Sequence, residues 1–151
     1  MIFDRTSTDV QNAIKIRETK IKNGLGLTEQ ETQILERGFL TKETLNRIEQ
    51  AQIELKGELG VMGYYNAPIY NKLWSGNNIF FAEDLRRLVA NVKVLRDAAP
   101  TKKYNTPLPV AKYHFEEMNK MEKTLHDIQI LASDVREHYK FCGEFNCGGN
   151  I

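Results

Sequence analysis

His138, Cys142 and Cys147 spell H-x3-C-x4-C, a short run of soft ligand atoms and the first place to look for chemistry. A structural zinc site needs a fourth ligand, with His126 or Glu144 as the candidates, and its usual Cys and His spacings differ from this one. The two cysteines can instead close a small disulfide loop or stay as thiols. Two sets of carboxylates, Glu49 with Glu54 and Glu58, then Glu116 with Glu117 and Glu122, could in principle supply a general acid and base. In a chain with 27% charged residues, such neighbours are also what a solvated helix face produces. Gly57, Gly60 and Gly63 lack the lysine of a phosphate loop, and no dinucleotide fingerprint or nucleophile elbow occurs. The expectation is a non-enzyme with no catalytic residue, no metal and no cofactor.

The aromatic cluster Tyr64, Tyr65, Tyr70, Trp74, Phe80 and Phe81 carries a different chemistry. Tyrosine and tryptophan dominate interface hot spots and also stack on sugars. A protein partner fits better than a glycan, because sugar-binding loops usually ride on a β-rich scaffold and none is legible here. Core and loop packing is the first reading of the whole cluster; as a contact surface, its candidate interface residues are Tyr64, Tyr65 and Trp74, with Phe145 from the tail, and His114 falls at a cap or loop position.

These residues need elements to position them, and composition bounds those elements. A chain of 151 residues with 41% apolar content fits one domain, 1–151, with a sizeable core. Twenty-one basic residues face 20 acidic ones and are spread among them, so the basic excess of a nucleic-acid reader is missing. Apolar runs fall far short of the roughly 18 residues that span a bilayer. The opening "MIFDRTSTDV" also lacks the order of an export signal. No membrane and no nucleic acid are expected as partners.

Periodicity predicts an all-α fold of about five helices. Val10, Ile14 and Ile21 mark the first, from Ser7 or Thr8 to about Lys22, with Gly24 as a stop. Thr28 and Glu31 form a capping-box pattern that starts a second helix over about 28–36, and Gly38 suits a left-handed stop. The third begins at Thr41, carries Leu45, Ile48, Leu55 and Leu59, and ends near Gly60 or Gly63. "GYYNAPIYNKLWSGNN" reads as an ordered connection with Trp74 as its anchor. A fourth helix from 79 or 82 to 98 carries Leu85, Leu88, Val92 and Leu95, and Pro100 closes it. The fifth, about 115–139, has the cleanest stripe: Met118, Met121, Leu125, Ile128, Ala132, Val135 and Tyr139. A small hairpin around Phe141 to Cys147 is the one alternating stretch, inside a tail over 140–151.

Three helix starts resemble one another. With Leu45, Leu85 and Met118 in register, the next residues are Asn46-Arg47-Ile48, Arg86-Arg87-Leu88 and Asn119-Lys120-Met121, and an acid stands two positions before each anchor at Glu43, Glu83 and Glu116. Acids in a first turn favour a helix N-terminus. Either amphipathic helices simply look alike, or 40–65, 80–99 and 114–139 are internal repeats. Both readings describe a packing unit whose polar residues cap and solvate a helix. Unequal spacing argues against a regular solenoid.

The set "LERGFLTKETLNRIE", "MGYYNAPIYNKLW", "DLRRLVANVKVLRDA", "HFEEMNKMEKTLHDI" and "CGEFNCG" resembles a helical module of minor structural and tail proteins of tailed bacteriophages and prophages of Gram-positive gut bacteria. The resemblance covers most of residues 4–148 and carries no catalytic or ligand residue with it. It implies a virion structural protein, in the tail tip, baseplate or fibre attachment region, that assembles in the bacterial host cytoplasm and contacts other virion proteins as a homo-oligomer. Folding in a reducing cytoplasm favours free thiols at Cys142 and Cys147. The alternative function is a cytoplasmic helical regulatory or binding module acting as a small oligomer.

Overall fold

Polar residues mark where the helices begin. Thr6 Oγ1 accepts from Asp9 N at 3.3 Å while Asp9 Oδ2 accepts from Thr6 N at 2.7 Å, and Thr28 with Glu31 repeats this reciprocal box at 3.2 and 2.9 Å. Thr41 Oγ1 accepts from Thr44 N at 3.2 Å. Each such bond satisfies a backbone N–H that the helix itself leaves free. In the computed structural model, residues 1–64, 68–76, 78–99 and 108–144 are described, with side chains to residue 138. The elements are α1 (Ser7–Ile16), a π-helical turn (Arg17–Ile21), α2 (Glu29–Gly38), α3 (Lys42–Val61), α4 (Ala82–Ala98) and α5 (Phe115–Glu144). The chain is all-α, as its periodicity predicts, and no strand occurs among the described residues. Helix α5 continues through 141–144, the first half of the stretch read as a hairpin; the rest of that stretch lies outside the described residues. Among the described residues, no helix is long and apolar enough to cross a membrane.

The core lies between α3, α4 and α5. Ile48, Leu55 and Leu59 meet Leu85, Leu88 and Leu95, with Met121 and Leu125 from the third side, all almost fully buried. The three repeat anchors Leu45, Leu85 and Met118 belong to this cluster.

These three helices run parallel. An extended strap, residues 70–74, lies across α3 and α4: Tyr70 O accepts from Asn91 and Arg87, Lys72 reaches Asp84, Asn71 reaches Glu49 and Trp74 reaches Asn46. Advancing along the strap, the partners step backwards on both helices, so α3 and α4 share one direction. Arg47 pairs with Glu122 and Glu58 with Arg136, which gives α5 that same direction. Parallel neighbours need a connection that returns the length of a helix, about 30 Å for α3. Residues 62–81 make that return, and this explains an aromatic connection too long for a helical turn.

Helices α1 and α2 form a hairpin packed chiefly on itself, rooted where α3 and α5 begin. Its closest approach is at Gly38, where a Cβ would fall on the Ala13 side chain and within 2.5 Å of the Asp9 carbonyl. Gly38 is thus required by helix contact, and the left-handed stop expected there is not its role. Positive φ occurs instead at Gly24 (65°) and Gly63 (77°), which end the π turn and α3.

Gly38→Ala is expected to cost about 1–3 kcal/mol through overpacking. Gly57→Ala, in a helix interior with open space beside it, is expected to add up to about 1 kcal/mol. Urea unfolding of the two variants checks the opposite signs.

Candidate functional site

Two side chains on equivalent helix positions grip extended backbone. Asn46 Nδ2 donates to Trp74 O at 2.9 Å and its Oδ1 accepts from Trp74 N at 2.8 Å. Asn119 does the same to Arg5, with Nδ2 on Arg5 O at 2.8 Å and Oδ1 accepting from Arg5 N at 3.1 Å. A primary amide presents one donor face and one acceptor face, so it replaces the neighbouring strand that an extended segment lacks. Two straps, residues 2–5 on α5 and 70–74 on α3, are held this way.

One turn further along each helix stands a buried glutamate. Glu49, 3% exposed, takes a two-pronged contact from Arg87 at 2.5 and 3.1 Å, Trp74 Nε1 at 3.1 Å and Asn71 Nδ2 at 3.0 Å. Glu122, fully buried, takes Arg5 at 2.6 Å, Arg47 at 3.2 Å and the Ile2 N–H at 2.6 Å. Their acceptor positions are consumed in holding straps and helices together. This corrects the expectation that the repeated polar residues merely cap and solvate. The missed signal was the recurrence of Asn followed three residues later by Glu in the same register. Helix α4 carries Arg86 and Val89 at those positions and supplies Arg87 to its neighbour instead.

The hairpin root is polar. Arg37 contacts Asp9 at 3.1 Å and Asp4 at 3.2 Å, tying α2 to α1 and to the first strap. The hydrogen bond from Arg37, aided by the Thr6 N–H, lowers Asp9 from an ordinary pKa of 3.8 to about 2. The Asp9 and Asp4 carboxylates in turn raise Arg37 further above the usual guanidinium range. Burial pushes Glu117 up, but hydrogen bonds from Lys120 and the Val110 N–H outweigh it and leave its pKa lowered. Beside this root, a cleft of about 470 Å³ opens between the hairpin and the starts of α3 and α5, walled by Val10, Phe39, Leu40, Tyr113, Phe115 and Met118.

The aromatic cluster is split by the clamps. Trp74 is 4% exposed, its indole bonded to Glu49, its ring against Phe80 at 5.3 Å and under Lys72 at 4.2 Å. It is an anchor, as its loop position suggested, and it is not surface. Tyr64 is exposed, but at the far end of α3 from Trp74, so the two do not form one patch. Tyr65 and Phe145 lie outside the described residues. What the fold does expose is Tyr70, Leu73 (85% exposed), Ile79 and Phe81; Tyr70 and Phe81 belong to the cluster read from the sequence, but none of the four is among its candidate interface residues, and Tyr113 contacts the ring of Phe80. Trp74 is held inward by its indole bond to Glu49, while Tyr70 and Leu73 on the same strap stay exposed.

His114 is exposed and ends the lead-in to α5, its carbonyl accepting from Met118 N at 3.2 Å, as a cap position requires. His138 is exposed with Nδ1 at 2.7 Å from Asp134 O, and His126 stacks on Phe3. The side chains of Cys142 and Cys147 lie outside the described residues. Among the described residues, no group of three His, Cys, Asp or Glu side chains is placed to hold a metal ion. No protein-family model, no curated protein and no solved structure matches the chain.

Glu122→Gln removes the countercharge of buried Arg5 and is expected to cost about 3–5 kcal/mol. The double variant Arg5→Met, Glu122→Leu should recover part of this, measured by denaturant unfolding in a double-mutant cycle. Asp9 binds its proton less tightly folded than unfolded, so its contribution to stability is complete above about pH 4 and is lost as pH falls towards about 2. Over that window Arg37→Met is expected to lose less stability than the wild type, because Asp9 then titrates nearer its ordinary value.

Proposed function

We propose that this chain is a structural component of a bacteriophage virion, assembled in the host cytoplasm and working in the tail, baseplate or fibre attachment region through protein–protein contacts. The sequence resemblance supplies the class. The observation that carries a contact role is the exposure of Tyr70 and Leu73 on a strap whose backbone is gripped from beneath, with Ile79 and Phe81 also exposed just before α4. Side chains on a pre-ordered backbone lose little freedom on binding, and aromatic residues contribute most to interfaces. The buried polar groups of the clamps serve the same end, since they hold the strap at fixed height above α3 and α4.

The test places the triple substitution Tyr70→Ser, Leu73→Ser, Phe81→Ser in the producing phage. These side chains are exposed, so helix content and unfolding midpoint should be nearly unchanged. Mass spectrometry of purified particles is expected to find the wild-type chain and to show at least a tenfold loss of the variant. A wild-type chain absent from particles, found instead as a free cytoplasmic oligomer, overturns the virion reading in favour of a regulatory or binding module. Normal incorporation of the variant removes these residues from the contact.

A further inference from the structure

The strap over 70–74 is fixed along one edge and bare along the other. Asn46 takes both the N–H and the C=O of Trp74, at 2.8 and 2.9 Å, so the two groups point the same way, as they do in extended backbone. Tyr70, an even number of residues away and so on the same edge, gives its C=O to Asn91 at 2.9 Å and to Arg87. The residues between turn their groups to the opposite edge. The backbone N–H and C=O groups of Asn71 and Leu73 have no hydrogen-bond partner among the described residues. Both residues are exposed, Leu73 most of all, so this edge stands open.

Open strand edges are commonly guarded by lysine or proline. Here the lysine is drawn off: Lys72 lies over the Trp74 ring at 4.2 Å and against Asp84 at 3.4 Å, and the outward positions carry asparagine and leucine. Alternate residues that each offer an N–H and a C=O are one side of a β ladder, and a backbone already held in that shape loses little freedom when a strand is added. Exposed Tyr70 and Leu73 give an added strand apolar side chains to pack on. A second copy of this chain fits poorly, because antiparallel pairing of Asn71 with the other copy's Leu73 sets Lys72 directly opposite Lys72, a like-charge pair.

We infer that this edge binds an extended segment of another protein by strand addition. Two residues of that segment, spaced two apart and neither of them proline, exchange backbone hydrogen bonds with Asn71 and Leu73, and its apolar side chains cover Leu73. The inference names the kind of partner for the contact role proposed for this strap and rests on that role, while standing apart from the particle in which it is exercised.

Binders selected from a random peptide library on the purified full chain test it. The tightest are resynthesised with single N-methyl groups, each of which removes one backbone N–H and keeps every side chain. Losses of about tenfold are expected at alternate positions, with little change between them. Amide exchange at Asn71 and Leu73 is expected to slow on binding. Leu73→Pro deletes the edge N–H but suits extended backbone; because that N–H is unpaired, wild-type circular dichroism is expected, with about tenfold weaker peptide binding. Should this variant misfold, the N-methyl scan and the exchange rates still decide. No binder, binders without the alternating pattern, or unchanged exchange at Asn71 and Leu73 each overturns the inference, and so does a dimer of the peptide-free chain that Leu73→Pro dissolves, which makes the occupant a second copy. A chain absent from particles whose peptides alternate removes the virion reading and leaves strand addition standing; a chain present in particles whose peptides do not alternate does the reverse.

Discussion

Two buried carboxylates organise this molecule. An ionised side chain without water is costly unless other groups replace its hydration, and a broken buried pair costs about 3–5 kcal/mol. Glu49 and Glu122 therefore require their arginines and amide donors in one arrangement. Glu49 gathers Arg87 from α4 and Trp74 and Asn71 from the strap; Glu122 gathers Arg47 from α3 and Arg5 and Ile2 from the first strap. Neither set can be satisfied unless the straps lie on the helices and the helices lie side by side. Apolar stripes alone would tolerate a helix sliding or reversing, because leucine contacts carry no direction. The ionic contacts remove that freedom.

Parallel packing has electrical consequences that run through the rest of the fold. Like dipole ends placed side by side repel, and each of the three helices has an acid in its first turn. The recurring acid before Leu45, Leu85 and Met118 thus answers a requirement of the assembled bundle as well as of each helix start. The same geometry makes long connections necessary. The connection between α3 and α4 is used: it carries the Trp74 anchor inward and the exposed Tyr70 and Leu73 outward.

The hairpin is bound by a different means. Its α1 and α2 bury little beyond Ala13 and Leu35, so close backbone contact at Gly38 and the Arg37 bridge to Asp4 and Asp9 hold its root. A small apolar core fixes a hairpin weakly against a larger body, and the cleft beside Phe39 and Tyr113 marks that separation. The stripe on its first arm, legible as an amphipathic pattern, is left half-covered at Ile14 in α1 and at Ile21 in the π-helical turn.

Helix starts and core were legible from residue order alone, because caps and apolar spacing act within a few residues: Thr28 with Glu31, Thr41, and the stripes through Leu88 and Leu125 stand where local rules put them. The fifth helix outran its expected end near Tyr139 and reached Glu144, since alternation over so short a run as Phe141 to Cys147 does not stop a helix. The directions of the helices, the burial of Glu49 and Glu122, and the sorting of Trp74 inward from Leu73 outward were decided only by tertiary structure. A glutamate on a helix has the same local propensity whether its partner is water or an arginine distant in sequence. A strap residue likewise acquires an inside and an outside only when its backbone is gripped by another element, as Asn46 grips Trp74.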